Sequence, residues 1–358
     1  MNGFLYITNQ MLKVLVTGGA GFIGSHTCYE LAKNGYEVYA IDSLVNGYSE
    51  SIERINTLGN YQKGFKKIKF FKLNLCDYSL LNDFFQSIYF NKIEFDGVIH
   101  FAGLKAVAES VLDPISYWEN NVISTINLLK IVQSYKVRSF VFSSSATVYD
   151  SRFDPPFSEN AELNPVNPYG ETKLAIEKIL NQLSYASDKN INIASLRYFN
   201  PIGAHESSLI GEFPKGTINN IFPILCKVAN GELNEFHVYG NDWDTRDGTC
   251  IRDYIHVMDL AIAHRKTLEH LDISQNVNLT LNLGTGKGTS VIELINAFEK
   301  ANSLKIKYIF KGRRAGDAAE IYADATLAKK VLGWAAHRDL NQMCVDGWNW
   351  KIKNPNGY

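Results

Sequence analysis

The 358-residue sequence holds no stretch approaching the ~18 consecutive apolar residues of a bilayer-crossing helix, which argues against an integral helical membrane protein. It has five cysteines (Cys28, Cys76, Cys226, Cys250 and Cys344), odd in number and without Cys-x-x-Cys spacing. That pattern excludes a disulfide framework or zinc ribbon and predicts reduced thiols in the cytoplasm. The eight histidines form no His-x-x-x-His pair, so no metal is expected. Lys and Arg total 36 against 37 Asp and Glu, with no basic block, which leaves no footprint for nucleic acid or an anionic membrane. Residues 1–10 lack a basic start and a long apolar core and do not read as a signal peptide; Met11 offers an alternative start. What remains is an ordinary globular composition, 46% hydrophobic and 20% charged, long enough for one large or two moderate domains.

Against that background, residues 13–24 stand out. An apolar run of strand character breaks into Gly18, Gly21 and Gly24, and residues 25–34 read as a helix. Glycines permit a tight turn and close backbone approach, while the free N–H groups of a helix start favour a pyrophosphate. A second strand ends at Asp42, whose carboxylate can accept from adenosine ribose hydroxyls and would repel a 2′-phosphate. The pattern predicts a dinucleotide site that takes NAD rather than NADP.

Short apolar strands then alternate with amphipathic helices. Strands are predicted over 14–17, 38–41, 68–73, 97–101, 139–143 and 192–196, with the longest helices over 117–135 and 169–183. This rhythm predicts an α/β fold, a doubly wound parallel sheet of Rossmann type with ligands above the strand C-termini. After Arg197 the rhythm loosens. Short strands are predicted over 236–239 and 279–283, and helices over 219–230, 258–271 and 291–301. The expected organisation is an NAD-binding unit over 11–197 and a smaller α/β substrate-binding lobe over 198–358, with some exchange of elements between them.

A second constellation follows the fifth strand. Ser145 lies at that strand's end, and Tyr169 and Lys173 stand four apart at a helix start, where their side chains share a face. An ammonium beside a phenol favours the phenolate; lowering a tyrosine from ~10 toward 7 takes about 4 kcal/mol, within reach of one cation plus bound NAD⁺. Such a phenolate could take a hydroxyl proton while hydride leaves the same carbon, with Ser145 steadying the oxygen.

With these motifs the chain resembles the extended short-chain dehydrogenase/reductase family, most closely its UDP-glucose 4-epimerase branch. The resemblance runs from Leu12 to Tyr358 and rests on residues 16–27, 100–107, 142–149, 196–201, 252–260 and 313–317. It implies that Phe22 and Ile23 offer N–H groups to the pyrophosphate, and that Asp42, Ser43, Leu44, Val45, Asn46 and Gly47 surround the adenosine. Asn74 and Leu75 would sit near the adenine; Phe101, Ala102, Gly103 and Lys105 would line the nicotinamide side, with Asn120 nearby. It further implies Tyr169 as base, Lys173 as its modulator, Ser145 as partner of the reacting hydroxyl, and Phe199 beside the nicotinamide. Asn200, Asn220, Ile221, His237, Val238, Tyr239, Arg252, Arg314 and Asp317 would hold the sugar nucleotide, the arginines matching its pyrophosphate.

The activity so implied is C4 epimerisation of UDP-glucose and UDP-galactose through a 4-keto sugar, with NAD held throughout. Related sugar-nucleotide dehydratases carry an Asp–Glu pair after the serines, where this chain has Ala146 and Thr147. A reductase that consumes diffusible cofactor and an NAD-sensing protein are the other readings; an intact Ser145, Tyr169 and Lys173 argues against the second. Asn74 replaces a usual Asp, which implies at most weaker NAD retention. Ile321 aligns with a position whose bulk decides whether N-acetylhexosamines fit, so UDP-N-acetylglucosamine and its epimer stay open as substrates. The resemblance also implies a homodimer through helices 117–135 and 169–183, although the same apolar faces could simply cover the sheet.

Overall fold

The computed structural model describes residues 12–186, 191–216, 218, 220–314 and 316–358; residues 1–10, Met11 and Asn219 lie outside them. The chain opens with β1 (Lys13–Thr17), α1 (Phe22–Lys33), β2 (Glu37–Asp42), α2 (Ser49–Gly59) and β3 (Lys69–Lys72). It continues through α3 (Tyr78–Phe90), β4 (Gly97–His100), α4 (Val107–Leu112), α5 (Pro114–Tyr117), α6 (Ser124–Ser134), β5 (Ser139–Ser145), α7 (Pro168–Tyr185) and β6 (Asn192–Tyr198). Then come β7 (Asn200–Ile202), α8 (Ile221–Ala229), β8 (Phe236–Tyr239), β9 (Ile251–Arg252), β10 (Tyr254–His256), α9 (Val257–Asp272) and β11 (Asn278–Leu283). The remainder is β12 (Thr289–Ser290), α10 (Val291–Asn302), β13 (Tyr308–Lys311), β14 (Glu320–Ile321), α11 (Thr326–Leu332) and α12 (Leu340–Lys353). None of the described helices is long and apolar enough to cross a membrane.

The main sheet is parallel throughout, in the order β11-β6-β5-β4-β1-β2-β3. Its strands are apolar without strict alternation because both faces are covered. In β1, Val14 and Val16 enter the core under α1 and α9, while Leu15 enters the opposite core under α3, α6 and α7. The strand order reverses between β2 and β4 on either side of β1, and the crevice above that point is where such sheets take ligands. Thr17 and His100 face each other there in register, joined Oγ1 to Nδ1 at 2.6 Å, and His100 Nε2 meets Thr125 Oγ1 at 2.8 Å.

Elements after residue 198 do not keep to one side. β11 joins the sheet beside β6, and α9 packs on α1, so the loosened rhythm conceals two returns to the first layer. The rest builds a smaller core of its own around Phe222, Leu225, Val238, Phe298 and Met343. The predicted continuous helix over 117–135 is interrupted: residues Trp118–Ile123 form a π-helical turn between α5 and α6. Such turns carry an extra residue and recur at functional sites.

Candidate active site

Gly21 caps α1 with no side-chain hydrogen bond, and the first turn of α1 carries no acidic residue. Its leading N–H groups are therefore left for an anion. The glycines are sterically required. Gly18 has φ +68°, and a Cβ on it would lie 2.7 Å from the Ala102 nitrogen; one on Gly24 would lie 2.1 Å from the Gly18 oxygen. At the end of β2, the Asp42 carboxylate accepts from the N–H groups of Ala20 (3.1 Å) and Leu44 (2.8 Å), and burial raises its pKa. It ties the glycine turn to the following loop while still bordering the cleft.

That cleft, counted with its open mouth, spans about 1330 Å³. Gly18, Gly21, Phe22, Ile23, Gly24, Asp42, Ser43, Val45, Asn46, Gly47, Asn74 and Leu75 line it, as do Phe101, Ala102, Gly103, Lys105, Asn120, Tyr169 and Lys173. Leu44, Ser145 and Phe199, predicted cofactor contacts, do not. Leu44 takes φ +64° and packs on the core under α1. Ser145 Oγ is engaged by Thr147, from its nitrogen at 3.2 Å and its Oγ1 at 3.0 Å. Phe199 is buried with Ala146, Leu174 and, at the edge of that cluster, Ile321.

Sequence reasoning missed three parts of this wall. Asn121, in the π turn, receives the Leu104 N–H on Oδ1 at 2.7 Å and donates to the Leu104 carbonyl and to Thr172 on α7, which pins the loop carrying Phe101–Lys105. Tyr198 borders the cleft with a buried hydroxyl that has no hydrogen-bond partner among the described residues. Residues 211–214 border the cleft as a strap fastened to its walls. Gly211 exchanges two hydrogen bonds with the Tyr358 hydroxyl, at 3.0 and 2.8 Å, and Lys215 donates to Asn46 Oδ1 (2.9 Å) and the Leu44 carbonyl (2.8 Å). Tyr48 packs on both Phe213 and Tyr358. A glycine cradle, an uncapped helix start and an unpartnered hydroxyl deep in the cleft are the groups that a dinucleotide needs: backbone room, donors for phosphate and a polar end contact.

The reacting groups meet at the far end. Asn167 caps α7 by accepting the Gly170 N–H at 2.9 Å and Pro168 begins the helix, which fixes Tyr169 in the first turn. Lys173 donates to the Ser143 carbonyl at 2.8 Å, with its Nζ 5.7 Å from the centre of the Tyr169 ring. Burial pushes the Tyr169 phenol up to about 12, with the Ser145 hydroxyl drawing it back, and pulls Lys173 down to about 8. Desolvation is the leading cause in both groups, and the positive charge of a bound NAD⁺, on which the expected phenolate also rests, would oppose it at the phenol.

The predicted sugar-nucleotide residues divide. Tyr239, Arg252, Arg314 and Asp317 come together: Asp317 receives Arg314 at 2.9 Å and lies 3.7 Å from Arg252, while the Arg314 guanidinium sits 5.6 Å from the Tyr239 ring. Ile321 follows in β14, paired in register with Arg252. On β8, His237 and Tyr239 face outward, and Val238 faces the core and can offer only backbone. Asn200 lies on β7 opposite Tyr254, and Asn220 precedes Ile221 at the start of α8, donating to the Glu212 carboxylate, which also pairs with Lys105 at 3.1 Å.

Comparison with known proteins agrees with this geometry. The family described as GDP-mannose 4,6 dehydratase matches residues 15–346. A UDP-glucose 4-epimerase of Bacillus subtilis is 46% identical over 347 residues, covering 97% of this chain and 99% of that protein. A bifunctional UDP-glucose and UDP-xylose 4-epimerase of Pisum sativum is 47% identical, covering 97% of each. Among solved structures, UDP-glucose 4-epimerase from Bifidobacterium longum in complex with NAD⁺ and UDP superposes with a TM-score of 0.89 at 46% identity, covering 97% of this chain and all of that one.

Proposed function

We infer that this chain, which belongs to the GDP-mannose 4,6 dehydratase family and stands among its UDP-glucose 4-epimerase relatives, interconverts UDP-glucose and UDP-galactose with a retained NAD. The observation that carries this reading is that Tyr169 and Lys173 line the same glycine-cradled cleft, while Arg252, Arg314 and Asp317 gather in a cluster of their own that suits a diphosphate. NAD, when bound, accepts a hydride from C4 of the sugar and returns it to the opposite face. Tyr169 takes and restores the proton of the 4-hydroxyl, Ser145 holds that oxygen, and Lys173 holds positive charge beside the phenol. Because burial alone leaves Tyr169 near 12, the phenolate depends on the added positive charge of the oxidised cofactor. Arg252 and Arg314 grip the diphosphate, leaving the hexose free to turn, so binding energy is placed away from the reacting carbon. The residues over 11–197 then serve chiefly NAD, and those over 198–358 chiefly the UDP-sugar.

The family's named dehydration needs a carboxylic acid and base after the serines, and Ala146 and Thr147 supply neither. Purified protein should interconvert the two sugars with no NAD added and no net rise in NADH absorbance. A requirement for added NAD(P)H in stoichiometric amounts would refute the reading.

Ile321, beside Phe199 and Leu174, is the wall on which acetylated sugars would press. We expect a preference for UDP-glucose over UDP-N-acetylglucosamine, and Ile321→Tyr should depress the residual acetylated reaction about tenfold more than the other. Product chromatography with both sugar pairs measures this, and a large preference for the acetylated pair would overturn the substrate assignment.

A homodimer fits the exposed apolar residues Val111, Leu112, Ile115, Trp118 and Ile123, which lie together along α4, α5 and the π turn next to α7. Sedimentation should give twice the chain mass, and Leu112→Glu should halve it; a monomeric wild type would dismiss the dimer. Five free cysteines suit the reducing cytoplasm.

A further inference from the structure

The end of β5 is held by a buried network behind the reacting groups. One turn beyond Lys173, Glu177 directs its carboxylate at the sheet, where it accepts from the Ser144 hydroxyl. Arg197 of β6 grips the same carboxylate in bidentate fashion, Nε to Oε1 at 2.9 Å and Nη2 to Oε2 at 2.6 Å. Arg197 Nη1 further donates to the Tyr149 hydroxyl at 3.1 Å and the Glu159 carbonyl at 3.0 Å. The Tyr149 hydroxyl donates in turn to Asn282 of β11 at 2.6 Å. Ser144, Arg197, Glu177 and Tyr149 are all buried. One carboxylate thus ties α7 directly to β5 and β6, and through Arg197 and Tyr149 to β11.

Its position matters because Ser144 lies between the two residues that serve the chemistry. Ser143 gives its carbonyl to Lys173, and Ser145 is the partner of the reacting hydroxyl on the reading above, on which this inference rests. A buried ion pair adds little net stability compared with apolar packing, but it fixes geometry when every partner is satisfied. The charges near Lys173 also single out Glu177. His100, from β4, is pushed down to about 3 by burial and is neutral. Tyr169 on the same helix and Tyr198 from β6 are both raised by burial and are neutral as well. Tyr117, bonded to Glu109, approaches Tyr169 rather than the lysine. Burial pulls Lys173 down, and Glu177 is the group that acts against it.

We propose that Glu177, clamped by Arg197 and Ser144, is a positioning residue for Lys173: it fixes the strand end that receives the ammonium and places a carboxylate one helical turn from it. Removing the charge and removing the tether should then have different signatures.

In Glu177→Gln the Lys173 titration midpoint should fall by about one pH unit, since a nearby opposite charge is lost. The midpoint is read by the pH dependence of methylation at Lys173 by a small electrophilic methyl donor, the labelled holoprotein then being digested and the Lys173 peptide quantified by mass spectrometry. The alkaline limb of the kcat profile should move the same way. Should an unpaired Arg197 prevent Glu177→Gln from folding, the double variant Glu177→Gln/Arg197→Met removes the clamp without stranding a charge, and its kcat should fall about tenfold, wild-type kcat there overturning the proposal. Ser144→Ala keeps the charge and loses the tether, so kcat should drop about tenfold with the methylation midpoint unmoved. An unshifted midpoint in the charge variant, or wild-type kcat in Ser144→Ala, overturns the proposal. A wild type unable to interconvert the sugars would instead count against the functional reading, and the methylation midpoints would still decide the role of Glu177.

Discussion

Tyr169→Phe should lose about a thousandfold in kcat while the purified variant keeps its full complement of NAD, because a positioned acid–base group contributes 10²–10⁴ to such a step. The substitution removes one hydroxyl and leaves the ring that borders the cleft. Nothing in the glycine cradle or the strap depends on that oxygen, so cofactor content, measured by absorbance after denaturation, separates loss of chemistry from loss of binding. The pH dependence has a definite sign. With the phenol lifted to about 12 in the protein alone, the wild type charged with oxidised cofactor should bind a competitive inhibitor that prefers the phenolate more tightly as pH rises. Tyr169→Phe should flatten that slope. Turnover near the wild-type rate would end the assignment of the base.

The second large effect lies at the opposite end of the cleft. Gly24→Ala should strip the protein of dinucleotide and unfold it at markedly lower temperature. A Cβ at residue 24 would sit 2.1 Å from the Gly18 oxygen, so backbone must move against backbone, with no flexible side chain to yield. Overpacking of this kind costs about 1–3 kcal/mol. The displaced turn is also the one that presents N–H groups to phosphate, so affinity should fall by at least about tenfold, a loss of roughly 1.4 kcal/mol. Gly35→Ala provides the comparison. Its φ is +85°, but a Cβ there meets nothing within 4 Å and the residue lies away from the cleft. It should cost only backbone strain and keep the cofactor. Equal NAD content in the two variants would remove the argument from close packing.

What the sequence disclosed was local. Gly18, Gly21, Gly24 and Asp42 are legible because the spacing of glycines and the position of a carboxylate at a strand end follow from a single turn. Tyr169 and Lys173 are legible because residues four apart on a helix share a face. A parallel sheet could be anticipated from alternation alone, but the arrival of β11 at its edge could not, since its partner β6 lies some eighty residues earlier in the chain. Distance along the chain likewise hid the meeting of Tyr48, Phe213 and Tyr358, none of which sits in a recognisable pattern. The π turn left no trace in hydrophobic periodicity, and with it went the role of Asn121. The burial of the phenol was hidden for another reason. Spacing gives the nearness of Lys173 but not the depth of Tyr169, and depth decides the sign.

The band over 211–215 has a consequence for supply. It is sewn to Asn46 and Leu44 by Lys215 and to Tyr358 by Gly211, and the rings of Tyr48 and Phe213 close against each other beneath it. These stitches share one short stretch of backbone, so they part together or not at all. A coenzyme bound here meets a wall fastened at both ends, so its exchange with the free pool should be slow beside turnover, and the outside ratio of oxidised to reduced coenzyme should bear on first loading more than on running rate.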